Sequence, residues 1–266
     1  MQQIRVTEDR SRGGLVATVV IDNASRLNSL NSALMEQFEQ AIAAVAESDD
    51  LRAVIVTGVG EKAFIGGADI KEMAELRHPD EARAFITRVH RCCHAIRSVP
   101  VPTIARINGY TFGAGVELAA CCDFRIASDT AEFGMPEVKL GIPSAVEAAL
   151  LPMLIGWGRT RQMLLLGENV SARDAKEWGL IDELVPGSDL DAAVASWIDR
   201  ILTCAPLAVR LQKQLIADWE NLPLGEAVAA GLDCFAKAFQ TDEPQTFMQG
   251  FLDRQARRKA EAGKSS

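Results

Sequence analysis

The sequence has no excess of positive charge. Its 28 Lys and Arg stand against 36 Asp and Glu, a net charge of −8 that argues against nucleic acid as the main partner. A long apolar run is missing too. The most apolar segment, residues 142–156, is too short to span a bilayer and contains Glu147 and two prolines. No basic and then apolar leader opens the chain, which begins MQQIRVTEDR, so secretion is not expected. Cysteine occurs six times, but four of the six are adjacent pairs, Cys92/Cys93 and Cys121/Cys122. Neighbouring cysteines rarely meet disulfide geometry, so reduced packing in a cytoplasmic protein without a membrane partner is expected. There is no internal repeat, no G-x-G-x-x-G dinucleotide fingerprint and no P-loop.

What is present is ordinary globular material. At 266 residues, 48% apolar and 24% charged, the chain is long enough to bury a large core in one or two domains. The β-branched run GLVATVVI (14–21) predicts a strand, and NASRLNSLN after it has turn and cap chemistry. Apolar positions Leu34, Phe38, Ala41, Ile42 and Val45 predict an amphipathic helix over 32–48. LRAVIVTG (51–58) reads as a buried parallel strand. Helix over 81–98, strand PTIARING, helix GAGVELAACC and strand DFRIAS follow, an alternation that means βαβ units with right-handed crossovers. From about residue 189 only helical signals remain, over 190–204, 206–221, 223–241 and 243–262, with a polar tail RQARRKAEAGKSS expected to fray. The expected class is α/β: a core over 1–190 and a helical C-terminal region over 191–266.

Two segments place small residues where a helix opens. AFIGGADIKEM (63–73) and GYTFGAGVEL (109–118) each follow a strand and a loop. The first N–H groups of a helix have no internal partner and carry partial positive charge, and small residues let a ligand approach them. Two such termini converging would form an oxyanion hole; each taken alone is equally well an ordinary turn. Glu117, three residues after Ala114, lies on the same helical face among Val116, Leu118, Ala119 and Ala120, so the usual surface reading of a glutamate is weakened. Glu137, in EFGMPEVKLG, is a second carboxylate just after a predicted strand. Two carboxylates beside an oxyanion hole suit acid–base work on a carbonyl compound.

In these segments the chain resembles the crotonase, or enoyl-CoA hydratase/isomerase, superfamily. RLNSLNSALMEQF is similar to the family's first loop and helix, LRAVIVTGVGEKAFIGGADIKEM to its first oxyanion segment, and VPTIARINGYTFGAGVELAACCDFRIAS to its second. AEFGMPEVKLGI is similar to the second-glutamate segment and LLLGENVSARDAKEWGLIDELVP to the helix pair closing the core. The resemblance implies a crotonase-like spiral of ββα turns with a helical C-terminal trimerisation and lid region, assembled as a homotrimer or homohexamer. It implies that the backbone N–H groups of Ala68 and Ala114 hold a thioester oxygen, with Ala114 standing where most members have glycine. Glu117 would activate water for attack at Cβ, and Glu137 would exchange the proton at Cα. Gly66, Ala68, Asp69, Ile70, Lys71, Gly113 and Ala114 would line the acyl-CoA, with Arg26 as a phosphate or ribose contact. Coenzyme A is part of the substrate, and no metal or redox cofactor is implied.

The expected activity is reversible syn hydration of a 2-enoyl-CoA to a 3-hydroxyacyl-CoA. Rivals are isomerisation, dehalogenation, decarboxylation or thioester hydrolysis on the same scaffold, or a non-catalytic CoA-binding subunit. Two departures from the family pattern bear on this. GIPSAVEAALLP has Ser144, Val146 and Glu147 where glycines are usual, so Glu147 is either a third pocket carboxylate or a solvated or paired residue. Near the end, Thr246 and Phe247 stand where Glu–Gly is common, which leaves the CoA-contacting basic residue unassigned. HRCCH (90–94) has metal-ligand letters but no second ligand pair, and packing is the expectation. A Cys–His hydrolase built from Cys121 or Cys122 with His90 or His94 is a further rival, against which stands the usual inertness of a cysteine inside an apolar helix.

Overall fold

The computed structural model describes residues 2–262. Contacts divide the chain into two compact units, residues 1–201 and 202–266. Residues 263–266, the end of the polar tail expected to fray, lie outside the described part, and the last helix runs through residue 262.

The first unit is built on two sheets. The larger has six strands in the order β1 (Gln3–Asp9), β2 (Leu15–Asp22), β3 (Leu51–Gly58), β5 (Thr103–Ile107), β7 (Phe124–Ser128) and β10 (Glu183–Val185). Only the β1/β2 hairpin is antiparallel; the other neighbours run parallel. The smaller sheet has the order β4 (Ala63–Ile65), β6 (Tyr110–Phe112), β8 (Glu132–Gly134) and β9 (Val170–Ser171), with β4, β6 and β8 parallel. Helices α1 (Ser32–Ala46), α2 (Ile70–Glu75), α3 (Pro79–Ser98), α4 (Ala114–Cys121), α5 (Leu151–Leu166), α6 (Ala172–Trp178) and α7 (Leu190–Leu202) complete it. The chain thus takes one strand in each sheet and then a helix: β3–β4–α2/α3, β5–β6–α4, β7–β8–α5. This is the ββα spiral that the family resemblance implies, with a second strand where the residue pattern alone suggested βαβ units.

Local chemistry accounts for the main pieces. Leu34, Phe38, Ile42 and Val45 form the buried stripe of α1, and the Asn31 side chain accepts the Leu34 N–H at 2.9 Å to cap its start. On α3 the stripe is Phe85, Val89, Cys92, Cys93 and Ile96, behind Pro79 in the first turn and a reciprocal cap between His78 and Glu81. Helix α7 is tied to the larger sheet: the rings of Trp197 and Phe124 pack at a tilt, 4.7 Å between centroids, and Arg106 Nε meets Asp191 at 2.6 Å.

The crossing from β3 to β4 carries buried backbone carbonyls that two asparagines satisfy. Asn108 Nδ2 donates to the carbonyls of Gly58 (3.1 Å) and Ala63 (3.0 Å), and Asn28 Nδ2 to those of Ala63 (2.8 Å) and Val59 (3.1 Å). These bonds fix how the loop over 23–30 and the start of β6 meet the same turn.

The second unit contains α8 (Pro206–Asn221), α9 (Leu224–Ala238) and α10 (Glu243–Ala262). Trp219 Nε1 donates to the Ala227 carbonyl at 3.1 Å, joining α8 to α9. The Glu243 carboxylate accepts the N–H groups of Leu207 and Ala208, satisfying the first turn of α8. Leu224, Val228, Leu232 and Phe235 leave an apolar stripe of α9 exposed, continued by Phe239 just after its last turn.

Replacing Asn108 with Ala removes the donor from buried carbonyls, and stability is expected to fall by about 2 kcal/mol. The check is urea unfolding, where the midpoint should drop with an unchanged m-value.

Candidate active site

Strands β4, β6 and β8 lie side by side, and each ends at the same edge in a turn. Gly66, Gly67 and Ala68 follow β4; Gly113 and Ala114 follow β6; Glu137 follows β8 by three residues. The C-terminal ends of parallel strands are where α/β folds bind ligands. Gly113 donates its N–H to the Gly134 carbonyl at 2.9 Å and has φ +50°, which favours glycine. A methyl group there would lie 2.5 Å from Glu137 Oε1 and 4.0 Å from the Gly67 Cα, so the three turns meet at this point. Within the first turn of α4, a methyl on Gly115 would lie 2.1 Å from the Ile65 carbonyl oxygen. The start of α4 therefore rests directly on the backbone of β4.

Ala68 and Ala114, the two residues whose N–H groups the sequence singles out, are each the next residue after this meeting point. Ala114 is the first residue of α4 and has no helical acceptor for its N–H, while the N–H groups of Val116 and Glu117 turn back to the Gly113 carbonyl. Beside Ala68, Leu30 donates to the Gly67 carbonyl (2.9 Å) and accepts the Asp69 N–H (2.8 Å). In that parallel bridge the N–H of Ala68 itself faces away from Leu30.

The segment over 66–71 runs along the 23–30 loop, with the Gly66 N–H donated to the Leu27 carbonyl at 2.8 Å. Ile70 and Lys71 are exposed. Asp69 is buried and caps α2 through the N–H groups of Lys71 and Glu72. Arg26 Nη1 reaches the same carboxylate at 2.6 Å, so the charge expected to meet a phosphate is engaged with Asp69. Burial pushes the Asp69 carboxyl upward, but the N–H groups of Glu72 and Lys71 and the Arg26 guanidinium outweigh it and hold it below the ordinary range.

Glu117 is buried at 4% exposure, with Oε1 accepting the Ala148 N–H at 2.9 Å. Loss of water raises its pKa from 4.5 to about 8; the Ala148 N–H opposes this, and the negative charges of Glu137 and Glu147 add to it. Glu137 is half-buried, and its Oε2 accepts the Ser144 hydroxyl at 2.8 Å. Glu147 is buried too, and its Oε1 lies 2.7 Å from Nδ1 of His90 on α3. One short stretch, 144–148, thus touches all three glutamates: Ser144 on Glu137, Ala148 on Glu117, and Glu147 itself. Val146 within it holds φ +41°, a strained value for a β-branched residue where the family pattern has glycine. The bonds from Ser144 and Ala148 and the His90 contact have no sequence signal, because each joins residues by position in space alone.

In the HRCCH motif the two cysteines pack into the core, whereas His90 is half-exposed and turns to Glu147. Cys92 and Cys93 are buried, the rings of His90 and His94 lie 6.1 Å apart, and no cluster of metal-ligating side chains occurs among the described residues. Burial pushes the Cys92 thiol up to about 12 and the Cys93 thiol well above its usual range, with neighbouring Cys121 adding to the latter. Cys121 and Cys122, the cysteines of the Cys–His hydrolase rival, are buried as well, and the Cys122 thiol turns to the Leu118 carbonyl at 3.5 Å, as packed cysteines of an apolar helix do.

A carboxyl group whose pKa is raised on folding contributes destabilisation that grows as pH rises from its unfolded value toward its folded one. For Glu117 that window runs from about 4.5 to about 8. Glu117→Gln is therefore expected to raise the melting temperature relative to wild type at pH 8 and to leave it little changed at pH 4. Paired thermal melts at the two pH values measure this.

The profile of the enoyl-CoA hydratase/isomerase family matches residues 11–260. The chain is similar to a short-chain-enoyl-CoA hydratase of Clostridium acetobutylicum, 35% identical over 242 residues, covering 91% of this chain and 92% of that one. It is equally similar to a crotonyl-CoA hydratase of Syntrophomonas wolfei, 35% identical over 240 residues, covering 90% of this chain and 92% of the other. Among solved structures, an enoyl-CoA hydratase from Bacillus anthracis superposes with a TM-score of 0.88 at 31% identity, covering 94% of this chain and 96% of that one. A family profile that spans residues 11–260, with relatives 35% identical over nine-tenths of the chain, makes the chain a member of the enoyl-CoA hydratase/isomerase family.

Proposed function

We propose that the protein catalyses the reversible syn addition of water to a 2-enoyl-CoA thioester, giving a 3-hydroxyacyl-CoA. The observation that carries this reading is the meeting of Glu117 and Glu137 at the first turn of α4, with Glu137 Oε1 against Gly113. The thioester oxygen is held by the N–H groups of Ala68 and Ala114, where a developing enolate is stabilised by donors that need no reorganisation. Water adds through its oxygen to Cβ while one of its protons passes to the Glu117 carboxylate. The Glu137 carboxyl delivers a proton to Cα, and the two glutamates return to their starting states by exchange with solvent. The segment over 66–71 and Gly113 bound the acyl-CoA, and Arg26 orients that segment through Asp69. The relatives named for short-chain and crotonyl substrates support a short acyl chain. The exposed apolar stripe of α9 supports assembly into a homotrimer or homohexamer.

Loss of the enoyl-thioester absorbance of crotonyl-CoA tests the reaction. Glu117→Gln and Glu137→Gln are each expected to lower kcat by about 100-fold or more. A Glu117→Gln enzyme at full rate, with Glu137→Gln inactive, would instead favour double-bond isomerisation.

Because Glu117 must be ionised to accept a proton from water, its raised pKa sets a limb in the rate profile. Measured as kcat/KM for hydration, activity is expected to climb with pH through about 8 in the free enzyme.

A further inference from the structure

Glu147 is the one carboxylate near the cleft that the reaction above does not use. It stands more than nine-tenths buried, with His90 Nδ1 on its Oε1 at 2.7 Å. A carboxylate can only accept, so the ring places its Nδ1 proton on this bond. Oε2 is also buried and has no hydrogen-bond partner among the described residues. A buried carboxylate oxygen without a donor is unfavourable, and such atoms are commonly satisfied by a water or by a bound group.

The surroundings say where that donor comes from. The next residue, Ala148, gives its N–H to Glu117 Oε1, and the negative charge of Glu147 acts on Glu117. From the α3 side the carboxylate meets His90, and its charge also reaches the Cys93 thiol. His90 is exposed over half of its side chain, so the pair is anchored from outside while Oε2 stays inside. A buried carboxylate thus stands one residue from the contact on Glu117, on a backbone strained at Val146.

We propose that Glu147 is a third catalytic carboxylate, whose Oε2 accepts a hydrogen bond from the water in the hydration direction and from the 3-hydroxyl group in the reverse direction. Glu117 takes the proton; Glu147 fixes the orientation of the oxygen that attacks Cβ; His90 fixes Glu147. The inference rests on the hydratase reading and assigns to this chain an orienting group in the loop where the family pattern has glycine.

The test separates water addition from the chemistry at Cα. Hydration of crotonyl-CoA is measured beside exchange of the α-protons of butyryl-CoA in deuterated water, which needs the two main-chain donors and Glu137 but no attacking water. Glu147→Gln keeps the shape and the His90 contact but presents an amide N–H₂ in place of Oε2, so hydration kcat is expected to fall about 100-fold. The exchange rate and the KM for crotonyl-CoA should stay within about threefold of wild type. Should Glu147→Gln fail to fold, His90→Asn, at an exposed position, reads the same effect by loosening the anchor, with hydration expected to fall about tenfold and exchange preserved. Hydration at the wild-type rate in the variant that folds, or hydration and exchange falling together, would overturn the proposal. A wild-type enzyme that exchanges α-protons but does not hydrate would sink the hydratase reading itself, a result distinguishable from any behaviour of the variants.

Discussion

The site depends on one close contact between main chains. Because Gly115 has no side chain, the first turn of α4 settles onto the carbonyl of Ile65 at the end of β4. No other residue fits there, since a methyl group would have to displace backbone rather than a flexible side-chain end. That contact brings the N-terminal end of α4 beside the turn after β4, although the two segments are far apart in sequence. Gly113 does the complementary work, turning the chain at φ +50° and leaving space that the Glu137 carboxylate fills. Everything proposed for the thioester oxygen follows from this seating.

Its energetic consequence is a cleft that works against the stability of the fold. Glu117 is taken out of water with a single backbone donor, between two other carboxylates, and it is held protonated at neutral pH in consequence. Val146 sits in a backbone region that valine disfavours. Such groups persist only where the surrounding structure over-determines them. Here the surroundings are the buried stripes of α1 and α3, the six-stranded sheet, and the asparagine bonds that brace the crossing between the sheets.

Much of this was legible in the sequence, for physical reasons that differ by element. The apolar runs of β2, β3 and β5 and the stripes of α1 and α3 carry clear periods, so they could be read directly. Strand β1 could not: QIRVTED is largely exposed and owes its place to backbone pairing with β2. The smaller sheet was hidden because strands of two or three residues are too short to show alternation, yet its strand ends carry the site. Glu117 stood out as a charge in an apolar helix. The contact between His90 and Glu147 spans 57 positions, and the hydroxyl of Ser144 on Glu137 crosses a turn; neither follows from any local pattern. The resemblance offered Arg26 as a phosphate or ribose contact; its pairing with Asp69 required the loop over 23–30 to be folded against the turn after β4.

The most direct test of the central claim is the carbonyl stretching frequency of crotonyl-CoA bound to the enzyme, taken from difference infrared spectra. Two N–H donors at the ends of β4 and β6 that polarise the thioester must move the band to lower wavenumber than in free crotonyl-CoA. A bound carbonyl that absorbs at the free position would contradict the account, whatever the rate of turnover.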